Sequence, residues 1–255
     1  MTNITAIANQ KGGVGKTTTT INLATALCSI GKKVLIIDLD PQANASTGLG
    51  INEEDRKENI YDLLVSEKHK KESIKNTLIP TLDIIPATTD LAAAELEFVG
   101  LKERESRLKN ILNQIQEYDN IMIDCPPALG LLTINGLVAS DSVIIPLQCE
   151  FFALEGLSSL MFTINSIQKS YNSKLEIEGV VLTMFDKRNS LSSLVEKDVR
   201  GYLGDMVYST VIPRNVRISE APSHGKPVLI YDVGCSGSKA YIDLAKEVIK
   251  KQNEN

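Results

Sequence analysis

The sequence predicts an α/β fold: a doubly wound, mostly parallel β-sheet flanked by helices. Three observations carry that prediction. Seven short apolar runs recur along the 255 residues, most of them near-continuous and rich in β-branched side chains, as suits strands buried on both faces of a parallel sheet. Helical patterns separate the runs, which gives the alternation that builds such a sheet. A glycine-rich stretch sits where the first run meets the first helix.

The runs are Ile4–Ala8, Val34–Asp40, Leu82–Pro86, Ile121–Cys125, Val143–Leu147, Gly179–Met184 and Val207–Ile212. The first helix presents Ile21, Ala24, Leu27 and Cys28 on one face, and Gly31 is placed to end it. Further apolar faces are predicted from Leu101, Leu108, Ile111, Leu112 and Ile115, from Leu157, Leu160, Met161, Ile164 and Ile167, and from Leu191, Leu194, Val195 and Tyr202. A last helix, Lys239 to Gln252, carries Tyr241, Leu244, Ala245, Val248 and Ile249 on one side. The stretch Asn52 to Lys75 is the most polar and reads as a solvated loop and surface helix. With no repeat, low-complexity tract or linker, residues 1–255 read as one domain.

Composition narrows the function classes. No apolar run approaches the ~20 residues that span a membrane, and no signal-like order of charge, apolar core and small residues opens the chain, so a cytoplasmic protein without stable membrane insertion is expected. Cys28, Cys125, Cys149 and Cys235 are widely spaced, which fits reduced, mostly buried thiols rather than disulfides or zinc. His69 and His224 are isolated. Net charge is −5, which argues against unspecific DNA binding by the whole surface. From Val207 onward, however, seven Lys/Arg stand against five Asp/Glu, so a basic C-terminal face on an acidic body is compatible with the sequence, and dimerisation would double it.

Residues 9–18 read Asn-Gln-Lys-Gly-Gly-Val-Gly-Lys-Thr-Thr, between a strand and a helix. Gly12, Gly13, Val14, Gly15 and Thr18 supply a loop whose backbone N–H groups curl around phosphate oxygens, and the helix start adds positive potential. Lys16 reaches β- and γ-phosphates and the Thr17 hydroxyl holds Mg²⁺. Gln10 stands where the ordinary pattern has glycine, and Lys11 is an extra cation. Aspartates lie at the ends of two of the later runs, in the correct order behind this loop. Asp38 and Asp40 lie at the carboxyl end of the second run, where ligands of open α/β sheets bind, so either can orient water or support a metal. Asp124 ends Ile121-Met-Ile-Asp and is placed to hold a Mg²⁺ water, while Pro126 and Pro127 stiffen the next loop.

The K-G-G-x-G-K-T form resembles the deviant Walker A loop of the ParA/MinD family of ATPases. Asp124-Cys-Pro-Pro-Ala-Leu-Gly-Leu-Leu-Thr133, Gln148-Cys-Glu-Phe-Phe-Ala-Leu-Glu-Gly156 and Val211-Ile-Pro-Arg-Asn-Val-Arg-Ile-Ser-Glu-Ala-Pro-Ser-His-Gly-Lys-Pro227 resemble its ParA/Soj chromosome-partitioning branch, and the likeness covers nearly the whole chain. The resemblance implies an ATPase that uses ATP and Mg²⁺, with Lys11 crossing a homodimer to the partner's nucleotide, Asp40 positioning the attacking water and Asp38 supporting the metal through water. It implies that Pro213 and Asn215 touch adenine. It also implies unspecific double-stranded DNA binding led by Arg188, with Arg214, Arg217, Lys226, Lys246 and Lys250 behind it, a nucleoid location, and a ParB/Spo0J-type centromere-binding partner. One departure is Tyr231-Asp-Val-Gly-Cys-Ser-Gly-Ser238, where relatives commonly have Tyr-Asp-Pro-x-Ser-x-Gly-Ala. A MinD-like membrane-associated ATPase is the main alternative; an electron-transfer ATPase of the nitrogenase iron-protein kind and a biosynthetic enzyme with the same loop are others.

Overall fold

The computed structural model describes residues 2–150 and 153–254. Its strands are β1 (Asn3–Ile7), β2 (Val34–Asp38), β3 (Lys75–Asn76), β4 (Leu82–Ile85), β5 (Asn120–Asp124), β6 (Ser142–Gln148), β7 (Glu176–Phe185) and β8 (Val207–Pro213). They form one sheet in the order β3-β4-β2-β5-β1-β6-β7-β8. Every pairing is parallel except that of β3 with β4. The α-helices are α1 (Lys16–Ser29), α2 (Asn44–Gly48), α3 (Ile60–Ser66), α4 (Ala94–Glu97), α5 (Arg107–Leu112), α6 (Leu131–Ala139), α7 (Ala153–Ser170), α8 (Ser190–Leu203), α9 (Val216–Glu220), α10 (Val228–Tyr231) and α11 (Ser236–Glu254).

Alternation along each strand divides the apolar side chains between two faces. In β2, Val34 and Ile36 join one cluster and Leu35 and Ile37 the other. The first cluster packs under α1 and α11 through Leu23, Leu27, Tyr241, Leu244 and Val248. The second packs under α3, α5, α6, α7 and α8 through Leu63, Ile111, Leu137, Leu160 and Val199. Strand β1 lies between β5 and β6, so the chain turns to opposite sides of the sheet around it. This switch point opens a crevice at the strands' carboxyl ends, and the glycine-rich loop enters it directly from β1.

The predicted runs all become strands, with ends shifted by at most three residues; β2 stops at Asp38, two residues early. Four expectations need correction. The polar stretch 52–75 is not all solvent-facing: Ile60, Leu63 and Leu64 are fully buried, Arg56 is buried with its guanidinium on Ile51 O and Thr47 Oγ1, and the edge strand β3 begins at its end. The helix expected around Leu101 to Ile115 is only Arg107–Leu112, and Leu101 lies outside it and exposed. In α8 the buried face is Ser192, Val195, Val199 and Leu203, while Leu191, Leu194 and Tyr202 point to solvent. Cys28 and Cys235 are only partly buried, although all four thiols are free as expected. Phe151 and Phe152 of the motif 148–156 lie outside the described residues.

Among the described residues no helix is long and apolar enough to cross a membrane. The apolar face of α11 packs on the body: Tyr241, Leu244, Ala245 and Val248 are each at most 2% exposed. Lys251 adds a polar pin, donating to Glu178 O at 2.9 Å while lying over the Tyr208 ring. Leu244→Ala is expected to cost about 2–5 kcal/mol through lost burial and a cavity, read as a lower urea midpoint. Lys246→Ala, at a surface ion pair, is expected to change stability by less than about 0.5 kcal/mol; equal effects would show that α11 is not docked.

Candidate nucleotide site

The loop between β1 and α1 is held from three sides. Asn9 Nδ2 donates to Pro146 O at 2.7 Å, and Asn9 Oδ1 accepts from Lys11 N at 3.0 Å. Thr183 Oγ1, at the end of β7, donates to Val14 O at 2.8 Å. Gly15 caps α1 in the left-handed region at φ 88° with no side-chain cap, so the first N–H groups of the helix remain free to receive an anion. A side chain at Gly15 would strain this backbone.

Lys16 is buried, and its Nζ donates to Lys11 O at 3.1 Å. Burial lowers its pKa, although Asp124 and Asp40 nearby favour the charged form. Lys11 Nζ lies 3.2 Å from Glu150 Oε2. The loop's two cations thus rest on oxygens of their own chain.

Asp38 and Asp124 are side by side in register on β2 and β5, both fully buried. Asp38 Oδ2 accepts from Ser46 N and Ser46 Oγ at 2.8 and 2.6 Å, and its Oδ1 accepts from Asp40 N at 3.3 Å. Asp124 Oδ1 accepts from Thr20 Oγ1 at 3.1 Å. Asp124 Oδ2 is buried with no partner. Burial raises both carboxyl pKa values, and for Asp124 the charge of Asp38 raises it further. Asp40 Oδ1 accepts from Gln42 N at 2.9 Å, and Asp40 faces the crevice.

The crevice is a cavity of about 420 Å³ lined by Gly12, Gly13, Gly15, Lys16, Thr17 and Thr18, by Asp40, Gln42, Asn44 and Thr47, and by Lys226 and Val228 across from them. Those walls touch where Gly50 and Gly225, both at positive φ, bring their backbones together; a Cβ on Gly225 would meet Gly50 Cα at 2.8 Å. A second cavity of about 320 Å³ continues past Gly15 and Thr18 to Met184, Pro213 and Asn215. Asn215 Oδ1 caps α9 by accepting from Arg217 N, and its Nδ2 donates to Ser236 Oγ at 2.8 Å. Its amide is already engaged, while Pro213 and Ile218 give the cavity apolar surface. Met184 lines both cavities at φ 51°, a strained conformation for a non-glycine residue that concentrates at functional sites.

The DNA-face candidates are not gathered into one patch. Arg188 and Arg214 leave the carboxyl ends of β7 and β8, whereas Lys250 adjoins Lys251, which reaches the amino end of β7. Lys226 lines the crevice. Arg188 is 89% exposed and paired to Asp186 by two hydrogen bonds, Arg217 pairs with Glu220 and Asp232, and Lys246 pairs with Asp243. The altered segment 231–238 thus supplies one of the acids that neutralise Arg217. Burial pushes the Cys125 thiol up, and that of Cys149 to about 11, the opposite of what an iron–sulfur ligand needs.

Sequence reasoning missed Thr20, Ser46, Glu150, Thr183 and Met184. Thr20 follows Thr17 by one helical turn, a spacing that could have flagged it; Ser46 meets Asp38 through the local turn after β2, and Glu150, Thr183 and Met184 become neighbours of the loop only through the sheet order.

Among the described residues no group of three or more His, Cys, Asp or Glu could hold a metal. The donor set fits an ion held by one hydroxyl, by waters on Asp124 and by a ligand's own oxygens, as Mg²⁺ prefers.

The Asp124 carboxyl has a readable consequence. Its raised pKa means that, above the ordinary carboxylate range near pH 4, the folded chain keeps a proton the unfolded chain releases. Stability therefore falls as pH rises through that window and levels off above the raised value. Asp124→Asn is expected to flatten this decline, measured by urea unfolding at pH 5, 6.5 and 8 without nucleotide and with chelator; an unchanged slope would remove Asp124 as its source.

A family model described as an AAA domain matches residues 2–177. The chain is 55% identical over 254 residues to the chromosome partitioning protein ParA of Caulobacter vibrioides, covering 98% of this chain and 95% of that one. It is 57% identical over 249 residues to the sporulation initiation inhibitor protein Soj of Bacillus subtilis, covering 97% and 98%. Its fold matches the crystal structure of cobyrinic acid a,c-diamide synthase from Mycobacterium smegmatis with bound ADP and magnesium, at TM-score 0.87 and 33% identity over 99% of this chain and 96% of that one. Loop, strand order and full-length identity place the chain in the ParA/Soj family of chromosome-partitioning ATPases.

Proposed function

We propose that the chain is an ATP-hydrolysing partition protein, one ATPase domain across residues 1–255, whose ATP-dependent sandwich dimer binds DNA unspecifically. The observation that carries this reading is the lysine-rich loop folded over Asp124, a buried carboxylate with one oxygen lacking any protein partner. A triphosphate with Mg²⁺ completes that arrangement better than any group of the chain. Lys16 exchanges the Lys11 carbonyl for β- and γ-phosphate oxygens, with Gly12, Gly13, Val14, Gly15, Thr17 and Thr18 offering backbone N–H groups. Mg²⁺, held by the Thr17 hydroxyl and through water by Asp124, supplies charge neutralisation at the phosphates. Asp38 keeps its oxygens on Ser46 and Asp40 and supports the metal by its charge beside Asp124. Asp40, in the crevice wall, orients the water that attacks the γ-phosphate, giving ADP and phosphate. Pro213 and its apolar neighbours receive the adenine.

Lys11 crosses to the nucleotide of the second subunit, so only the triphosphate state closes the dimer. Arg188 and Arg214 then lead a doubled basic edge to DNA phosphates, where each charge adds affinity without reading sequence; Arg217, Lys226, Lys246 and Lys250 contribute less because of their pairing or position. Hydrolysis opens the dimer, and a ParB/Spo0J-type partner speeds it. The location that follows is the nucleoid, in the cytoplasm. The burial of α11's apolar face supports this over a membrane-bound, MinD-like role.

Size-exclusion chromatography of Asp40→Ala with ATP and Mg²⁺ should give a dimer, and Lys16→Ala should bind ATP at least tenfold more weakly and stay a single subunit. A lone subunit of Asp40→Ala at saturating ATP would reject the reading. In the same dimerising background Arg188→Glu is expected to weaken DNA binding by tenfold or more at low salt, by gel shift, and to leave the dimer intact; unaltered shifts would move the DNA face elsewhere.

A further inference from the structure

Lys11 is pinned at its backbone and undecided at its tip. Its N–H donates to Asn9 Oδ1 and its carbonyl accepts from Lys16 Nζ, so the residue cannot move as a whole without opening the loop. Its ammonium sits on Glu150, with both side chains about two-fifths exposed. Glu150 is held on the same frame. Its N–H donates to Gln148 O at 2.8 Å, Cys149 N reaches toward Thr183 O at 3.5 Å, and Thr183 Oγ1 holds Val14 O. The turn that carries the acid is therefore laced to the loop that carries the lysine, and the pair is set by the fold rather than by two wandering side chains. A third cavity, of about 350 Å³, opens beside Glu150 and holds Arg214 and Asp186, so a released Glu150 carboxylate has a cation within the same space.

We propose that Glu150 is a positioning residue that restrains Lys11 within its own subunit, and so sets how much ATP is needed to close the dimer. The proposal rests on the reading that Lys11 serves the second subunit's nucleotide. An ammonium is a compact point charge, and reaching phosphate across the twofold takes it out of contact with Glu150. Each closure then breaks two Lys11–Glu150 pairs. A pair this exposed shifts an equilibrium only a few-fold, which is the right size to tune a threshold without blocking it.

The test is an ATP titration of dimer formation by sedimentation velocity in the Asp40→Ala background with Mg²⁺. Glu150→Gln keeps the shape and removes the charge, and it should lower the ATP midpoint by about two- to tenfold. The affinity of the dilute single subunit for a fluorescent ATP analogue should stay within about twofold. An unchanged or raised midpoint, or an equal shift in single-subunit affinity, would each overturn the proposal. If Asp40→Ala does not dimerise with either residue at 150, the partitioning reading itself fails; if it dimerises and the midpoint stays fixed, only the role of Glu150 does.

Discussion

Two carboxylates and one lysine are buried together where β2, β5 and α1 meet, and much of the site follows from the cost of putting them there. Isolated charges in a protein interior are expensive and must be paired, hydrogen-bonded or neutralised. The three are treated unequally. Asp38 is satisfied entirely by its own chain, through Ser46 and the Asp40 N–H. Asp124 is satisfied on one oxygen. Lys16 makes do with a carbonyl. The three therefore differ in what they still offer: Asp38 fixes the start of the loop that carries Asp40, Asp124 keeps one oxygen without a protein partner, and Lys16 lines the crevice.

The sheet order makes this burial achievable. Because β1 lies between β5 and β6, the loop after it is flanked by the strand ending in Asp124 and by the strand whose Pro146 carbonyl holds Asn9. Thr183 reaches the loop from β7, one strand further out. Neighbouring strands thus fix the loop backbone, and its lysine side chains remain the parts free to exchange partners. The Gly50–Gly225 contact joins the wall that follows Asp40 to the wall that leads into α10.

The fold was legible in the sequence because parallel strands buried on both faces are written as continuous apolar runs, and because the glycine-rich stretch 9–18, ending in Lys16-Thr17-Thr18, stands between such a run and a helical pattern. The corrections share one cause. Helical periodicity shows that a side chain is apolar but not whether a neighbour arrives to cover it. In α8, Leu191, Leu194 and Tyr202 lie on a face that nothing among the described residues covers, and Ser192 takes an inward position because Val195, Val199 and Leu203 already set the helix's rotation. Arg56 was invisible as a buried residue because its worth lies in two carbonyl and hydroxyl contacts made only after folding. Asp38 and Asp124 were readable as strand-end aspartates. Glu150 on Lys11 was not, since that pairing joins segments distant in sequence that become neighbours only in the assembled sheet; spacing from Thr17 could point to Thr20 but not to its bond with Asp124.

Charge pairing also bears on how such a chain could grip DNA with a net charge of −5. Arg188, Arg217 and Lys246 each hold an acid of their own chain, so at least three of the six candidate cations are paired within one subunit. These pairs are exposed, and exposed pairs are worth little in water. A polyanion that presents phosphates at close spacing can outbid Asp186 for Arg188 at small cost, because releasing condensed counterions repays the exchange. A single subunit would gain that return at few contacts, whereas a dimer would gain it twice on one rigid body. Such pairing within one subunit is therefore compatible with the DNA binding proposed above. Under that reading it makes dimerisation, rather than mere presence of the chain, the step that decides whether DNA is held.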